Sequence, residues 1–350
     1  MEKFRFLTSG ESHGKCLTAI IEGLPAGVII DTDFINSELK RRQQGYGRGD
    51  RMKIESDTVE ITSGVRFGKS LGSPVCLVIK NKDFENWQKI MSVAPEDYTD
   101  EKSFSVFRPG HADYPGAVKY GQKDLRNILE RSSARKTAIE VAVGAVAQLF
   151  LKQLGITGSS EVTQIGSACC PEKFHEEIDM NKEKGDTVGG KFIVIYKNVP
   201  VGLGSHVHWD RGIDGRLAQA IMSIPAVKVV EIGTNPLGLC GSEYHDEFDI
   251  IDDKVCRKTN HAGGIEGGMT NGEDVIISGV MKPIPTMLKP LDSVDINTKQ
   301  KAQAHYERSD VCAVESCAVV AQARTACILA NEILLKYGAD NMEELTQRFS

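Results

Sequence analysis

Between Ser133 and Leu154 the chain reads SARKTAIEVAVGAVAQLFLKQL. Its middle is apolar on nearly every face, and a helix without a polar stripe belongs inside a protein rather than on its surface. The run therefore predicts a buried helix that stops at Gly155. Val314–Tyr337 predicts a second long helix, with small residues on one face and Gly338 at its end. Around these two, residues 16–30 and 58–80 are β-branched and Gly-punctuated and read as hairpin strands. Residues 156–166, 187–201, 226–233 and 273–282 also read as strands. A short helix is expected over 33–42, capped by Asp31, Thr32 or Asp33, and another over 213–224, stopped by Pro225. Residues 81–122, rich in Pro, Asp and aromatics, predict a long ordered loop. Strands and helices do not alternate as in a doubly wound parallel sheet, so the fold class is α+β. The length of 350 residues suits two domains as a prior. With no repeat and no linker, a single domain over 1–350 is the better expectation.

The charge balance narrows the partners. There are 42 Lys+Arg against 48 Asp+Glu, a net charge of −6. That disfavours nonspecific nucleic-acid binding, which needs a cationic face, though it leaves room for a local basic pocket. Nine cysteines, without a C-x-x-C pair, fit free thiols in a reducing cytoplasm. The opening MEKFRFLTSGESHG has no signal-peptide apolar region, and no run approaches 18 apolar residues. A cytoplasmic protein without a membrane partner is expected.

The positive charge is concentrated. RRQQGYGRGDR carries Arg41, Arg42, Arg48 and Arg51 among three glycines. Arg presents a planar fork to carboxylate or phosphate, and Gly lets a backbone approach an anion. A solvated basic loop is the plain alternative. GESHG places Ser12 and His13 just after a strand-like FRFLTS, and RPGHADYPG places His111 beside Arg108 and Asp113. Imidazole is the natural proton donor or acceptor near neutral pH, although any single histidine is more often structural. In RSSARKT, Ser132 and Ser133 with Arg131 and Arg135 suit a helix cap, an anion site, or both. The loop His261–Gly272 holds five glycines, Gly267 among them, and Arg308 with Asp310 sits ahead of the last long helix. No Walker A or G-x-G-x-x-G sequence occurs, and no metal spacing either.

In this order, GESHG, RRQQGYGRG, SLGSPV, FRPGHADYPGAVKYG, RSSARKTA, GIDGR, HAGGIEGGMTNGE, MKPIPT and ERSD resemble the chorismate synthase family over at least residues 4–337. FRPGHADY and RSSAR are the most specific of these. The resemblance implies central long helices sandwiched between antiparallel β-sheets and a homotetramer. It implies a lyase that converts 5-enolpyruvylshikimate 3-phosphate to chorismate by 1,4-elimination of phosphate and a ring proton. The family requires reduced FMN without net redox change, with NADPH at most as a reductant. Carried over by position, His13 is the proton donor to the departing phosphate and His111 lies near the flavin. Asp310 assists proton removal through the flavin, supported by the hydroxyls of Ser12 and Ser133. Arg42 and Arg48 bind anions of the substrate or of NADP. Flavin contacts fall on Arg131, Ser132, Ser133, Pro225, Ala226, Gly267, Arg308 and the run Lys282, Pro283, Ile284, Pro285 and Thr286. Pro285 stands where some relatives carry a hydroxyl, and Pro225-Ala226 can contribute through backbone alone.

Two other classes compete with this reading. An RNA-binding module built on residues 41–51 predicts a continuous basic face and exposed aromatics, against 6 % aromatics in an acidic chain. An ordinary flavin oxidoreductase acting on an anionic small molecule leaves the Arg-rich loop and paired histidines unexplained.

Overall fold

The structure is a computed structural model and describes residues 2–49, 56–304 and 310–349. One antiparallel sheet contains β1 (Arg5–Ser9), β2 (Cys16–Glu22), β3 (Val59–Ser63) and β4 (Val75–Lys80), in the order β1-β2-β4-β3. A second contains β5 (Thr157–Ile165), β6 (Gly190–Lys197), β7 (Val227–Ile232) and β8 (Val275–Met281), in the order β5-β6-β8-β7. Along β2, β4 and β6 alternate residues are the more buried, as the two-residue period of a strand requires. Leu17, Ala19 and Ile21 with Val75, Leu77 and Ile79 form one buried face, and Phe192, Val194 and Tyr196 with Val275 and Ile277 form the other.

Among the described residues the α-helices longer than four residues are α1 (Thr32–Gln43), α2 (Asp113–Tyr120), α3 (Arg126–Ser132), α4 (Thr137–Lys152), α5 (Phe174–Glu183), α6 (Ile213–Met222), α7 (Val314–Tyr337) and α8 (Met342–Phe349). Helices α4 and α7 pack on each other between the sheets, α4 against β2 and β4 and α7 against β5 and β6. Every residue of α4 from Thr137 to Leu151 is buried. The two helices cross at Gly144, where a Cβ would stand 2.3 Å from the Cβ of Ala323 and 2.6 Å from its carbonyl oxygen. Glycine is required there by contact, not by backbone conformation. Among the described residues α7 alone is long and apolar enough to cross a membrane, and 83 % of its apolar window is buried in this core.

The expected α+β class, buried helices and antiparallel strands are all present. Asp31 is the cap of α1, accepting from the N–H groups of Asp33 and Phe34 at 2.9 and 3.2 Å. The stretch 81–122 departs from a loop: it contains 3₁₀ turns at Lys82–Asn86 and Pro95–Asp97 and the helix α2. Pro115 sits in the first turn of α2, where its missing N–H costs nothing, and Gly121 ends the helix at φ 64°. The run expected as one helix from Ser133 begins instead with a bend at Ser133 and a 3₁₀ turn, Ala134–Lys136, before α4. All nine cysteines are free, as expected, and Cys312, Cys317 and Cys327 are buried. Burial pushes the thiols of Cys317 and Cys327 up to about 12, which keeps them protonated and inert.

Candidate active site

A cavity of ≈ 550 Å³ opens where the N-terminal ends of α4 and α7 meet the loops after β1 and β8. That volume lies within the range of small-molecule sites. Its lining includes Arg42, Arg48, Arg108, Arg135, Lys136 and Lys282, against one carboxylate, Asp310, among the described residues. An acidic chain thus concentrates six cationic side chains on one concave surface. Leu129, Met281, Ile284, Pro285 and Ala313 supply apolar wall between them.

Each polar group is held from behind. Arg42, at the end of α1, is buried; its Nε donates to Thr137 Oγ1 at 2.9 Å and its Nη2 to the carbonyl of Ala134 at 3.1 Å. The remaining Nη1 lies 3.5 Å from Asp57 Oδ2 and has no hydrogen-bond partner among the described residues. Burial lowers the guanidinium pKa to about 10, partly offset by Asp57, so Arg42 stays cationic at neutral pH. A buried cation with one unused donor fits an anionic ligand. Arg135 is fixed by Asp57 at 2.7 Å and by Asn81 Oδ1 at 2.9 and 3.0 Å. The same Asn81 donates to the carbonyls of Gly14 and Glu11, which ties the GESHG loop to β4 and to Arg135.

His13 is buried. Its ring Nδ1 lies 2.8 Å from Glu130 Oε1, and its main-chain N–H donates to Glu130 Oε2 at 2.8 Å. The indole of Trp87 stacks on the imidazole with centroids 3.9 Å apart. Ser12 Oγ donates to Ser133 Oγ at 3.1 Å. His111 has its Nδ1 2.8 Å from Asp113 Oδ1 and 2.9 Å from Arg108 Nη2. Asp310 accepts from the Gly49 N–H at 2.7 Å and lies 3.2 Å from Arg48 Nε, so the two charges face the cavity as a pair. Ala226 adopts φ 72°, a strained conformation for a residue with a Cβ.

Asp113 has no solvent exposure. Burial raises its pKa, but the hydrogen bonds from Arg108 and His111 outweigh it and hold the carboxyl well below the usual range. A depressed folded-state pKa gives stability that is complete above the unfolded value near 3.9 and is lost as pH falls towards the folded one. Asp113→Asn should therefore cost about 3 kcal/mol at pH 7, since it strands Arg108 without its counter-ion. Denaturant melts at pH 7 and at pH 3 check this: the gap between variant and parent narrows at pH 3.

Of the residues expected from sequence, Ser12, His13, Arg42, Arg48, His111, Ser132, Ser133, Pro225, Ala226, Lys282, Ile284, Pro285, Thr286 and Asp310 line this one cavity. Ser132 is not a cap: its hydroxyl donates to the carbonyl of Ile128 at 2.7 Å, whereas Ser133 accepts from the Arg135 N–H at 3.3 Å. Arg131 does not line the cavity. Its guanidinium donates to the carbonyls of Gly10 and Thr8 at 3.0 and 2.9 Å and fixes the end of β1. Gly267 is exposed in a tight turn away from the cavity, and Pro283 points to solvent between two lining residues. Arg51 and Arg308 lie outside the described residues. Glu130, Trp87, Asp57 and Asn81 were not expected; each is a single residue in an otherwise unremarked stretch, and only the fold brings it to the site.

The chain matches the family model described as chorismate synthase over residues 4–334. A chorismate synthase of Thermoanaerobacter pseudethanolicus is 54 % identical over 99 % of this chain and 97 % of its own length. One of Aquifex aeolicus is 50 % identical, covering 99 % and 96 %. A crystal structure of chorismate synthase superposes with a TM-score of 0.79 at 41 % identity, covering 100 % of this chain and 97 % of that one. Whole-length similarity in sequence and in fold, centred on a cationic cavity with two histidines, places the chain in the chorismate synthase family.

Proposed function

We propose that this cavity carries out the reaction of its family: loss of phosphate and a ring proton in 1,4 relation from 5-enolpyruvylshikimate 3-phosphate, giving chorismate. The observation that supports it most is Arg42, a buried cation with an unused donor among five further cationic side chains. The substrate carries a phosphate and two carboxylates, and Arg forks are suited to both. We assign the anions to Arg42 and Arg48, with Arg135 and Lys136 adding to the field. His13 donates a proton to a phosphate oxygen as the carbon–oxygen bond breaks. Asp310, supported by Ser12 and Ser133 across the cavity, assists the proton that leaves the ring.

Reduced FMN fits the same cavity. Leu129, Met281 and Ile284 would give apolar surface for a flat ring, and Ser132, Lys282, Thr286 and His111 would offer it polar contacts. When bound, the flavin supplies an electron transiently and recovers it, so the reaction has no net redox change. Lys282 is kept in place by donating to the carbonyl of Gly110, which joins the strap of residues 282–286 to the His111 loop. The strained Ala226 accepts from the Lys282 N–H at 2.9 Å, so the 225–226 turn and that strap are set together. Reduced flavin comes from an outside source in this reading, and anaerobic NADPH should leave oxidised FMN unreduced.

Anaerobic incubation with dithionite-reduced FMN and 5-enolpyruvylshikimate 3-phosphate tests the assignment. Equal amounts of phosphate and chorismate should appear with the flavin still reduced. No release overturns the lyase reading, and one flavin oxidised per product shows the competing oxidoreductase instead. Arg42→Met should raise KM for 5-enolpyruvylshikimate 3-phosphate at least about 10-fold, the value of one charge-assisted contact, as steady-state kinetics would show.

We also propose that the chain acts as one domain and assembles as a cytoplasmic homotetramer. The hairpin of 248–257 leaves Phe248, Ile250, Ile251 and Val255 exposed, an apolar surface suited to a second copy. Light scattering should give a mass four times that of the chain.

A further inference from the structure

We infer that Glu130 is a positioning residue for the proton transfer: it fixes the tautomer of His13 and turns the Nε2 edge of the ring to the cavity. The inference rests on the role proposed above for His13. Both carboxylate oxygens are used. Oε2 takes the main-chain N–H of His13 and Oε1 faces Nδ1, each at 2.8 Å. The backbone joins in as well, since the Ser12 N–H donates to the Glu130 carbonyl at 2.9 Å. A carboxylate accepts only, so the neutral ring must carry its hydrogen on Nδ1. Protonation then adds the second hydrogen at Nε2, the nitrogen left for the substrate. Once that proton passes to a phosphate oxygen, the ring returns to the Nδ1–H form still bonded to Glu130.

The surroundings make the carboxylate necessary. Trp87 covers one face of the imidazole, and the Arg126 guanidinium stands 5.3 Å from the indole centroid on α3's side. Arg126 also lies 3.6 Å from Glu130 Oε1. Among the described residues the charged groups across the cavity are Arg42, Arg48, Arg108, Arg135, Lys136, Lys282 and Asp310. Glu130 is the carboxylate in contact with the ring. His111 is placed differently: its carboxylate Asp113 accepts a 2.7 Å hydrogen bond from Arg108, whereas Arg126 stands 3.6 Å from Glu130.

Glu130→Gln separates the alternatives by simple donor counting. The amide offers one acceptor to two donors. The main-chain N–H cannot change character, whereas the ring can, so His13 should switch to the Nε2–H form with Nδ1 accepting from the amide NH₂. Selective ¹⁵N-histidine NMR of the protein alone, with the resonance assigned by its loss in His13→Ala, should show Nδ1–H in the parent and Nε2–H in the variant. The variant's kcat should fall at least about 10-fold, part of the roughly 100-fold or more that a general acid contributes. KM should stay within about 3-fold. Glu130→Asp, which keeps the carboxylate, should restore the tautomer and part of the rate. An Nε2–H ring in the parent overturns the inference without any variant, even if Glu130→Gln fails to fold. So does a Glu130→Gln enzyme that keeps the Nδ1–H form, or one with parental kcat while His13→Ala is slow. If His13→Ala itself leaves kcat unchanged, the proton-donor reading fails, and the NMR result still decides what Glu130 does.

Discussion

His13→Ala should lower kcat at least about 100-fold at neutral pH while KM for the substrate changes little. Removing a positioned general acid costs about 100- to 10,000-fold, and a loss confined to kcat marks an interaction made in the transition state. Among the described residues the imidazole contacts Glu130 and stacks on Trp87. Its loss exposes Trp87 and leaves one oxygen of Glu130 without its ring donor, but the main-chain bond from residue 13 remains. Stability should therefore fall far less than activity, and a thermal melt beside the kinetics separates the two. A kcat within a few-fold of the parent would remove His13 from the proton-donor role.

Gly144→Ala should destabilise the fold by about 3 kcal/mol, the upper part of the usual cost of overpacking a tight core. The added methyl would meet Ala323 on its Cβ, its Cα and its carbonyl oxygen, all within 2.6 Å. None of these is a flexible side chain that can swing away. The helices must separate, and α4 and α7 then lose contact along much of the buried layer. Chemical denaturation checks it. Adding Ala323→Gly should recover only the part due to the methyl–methyl contact, since the Cα and carbonyl oxygen of residue 323 stay in place.

How much of this was legible in the chain depends on whether a residue's neighbours in sequence are its neighbours in space. The buried character of α4 and α7 could be read because periodicity is local: no polar stripe means no solvent face. His13, His111 and Ser133 stood out because each sits in a short rigid motif. Glu130 did not, although it is two residues from Ser132, because its role exists only once the β1 loop folds back 117 positions along the chain. Asn81 and Asp57 are similar: their partners are 54 and 78 positions away. The helix at 113–120 was hidden for another reason. Its Pro and Gly are loop-forming by composition, and only their positions, first turn and terminus, make them compatible with a helix.

The two core helices also have a direction. Both start at the cavity: Ser133–Lys136 and Ala313 lie on its wall, and the Gly144–Ala323 crossing is about two turns into each helix. They therefore run side by side in the same sense, and their peptide dipoles add where the anions are expected, each equivalent to roughly half a positive charge at its N-terminus. Nothing needs a counter-ion for that contribution, and no change of pH removes it. The segment that excludes water from the middle of the protein is thus also a fixed electrostatic element, aimed along its own axis at the ligand. A substitution deep in this layer that tilts either helix would be felt as weaker anion binding before it was felt as unfolding.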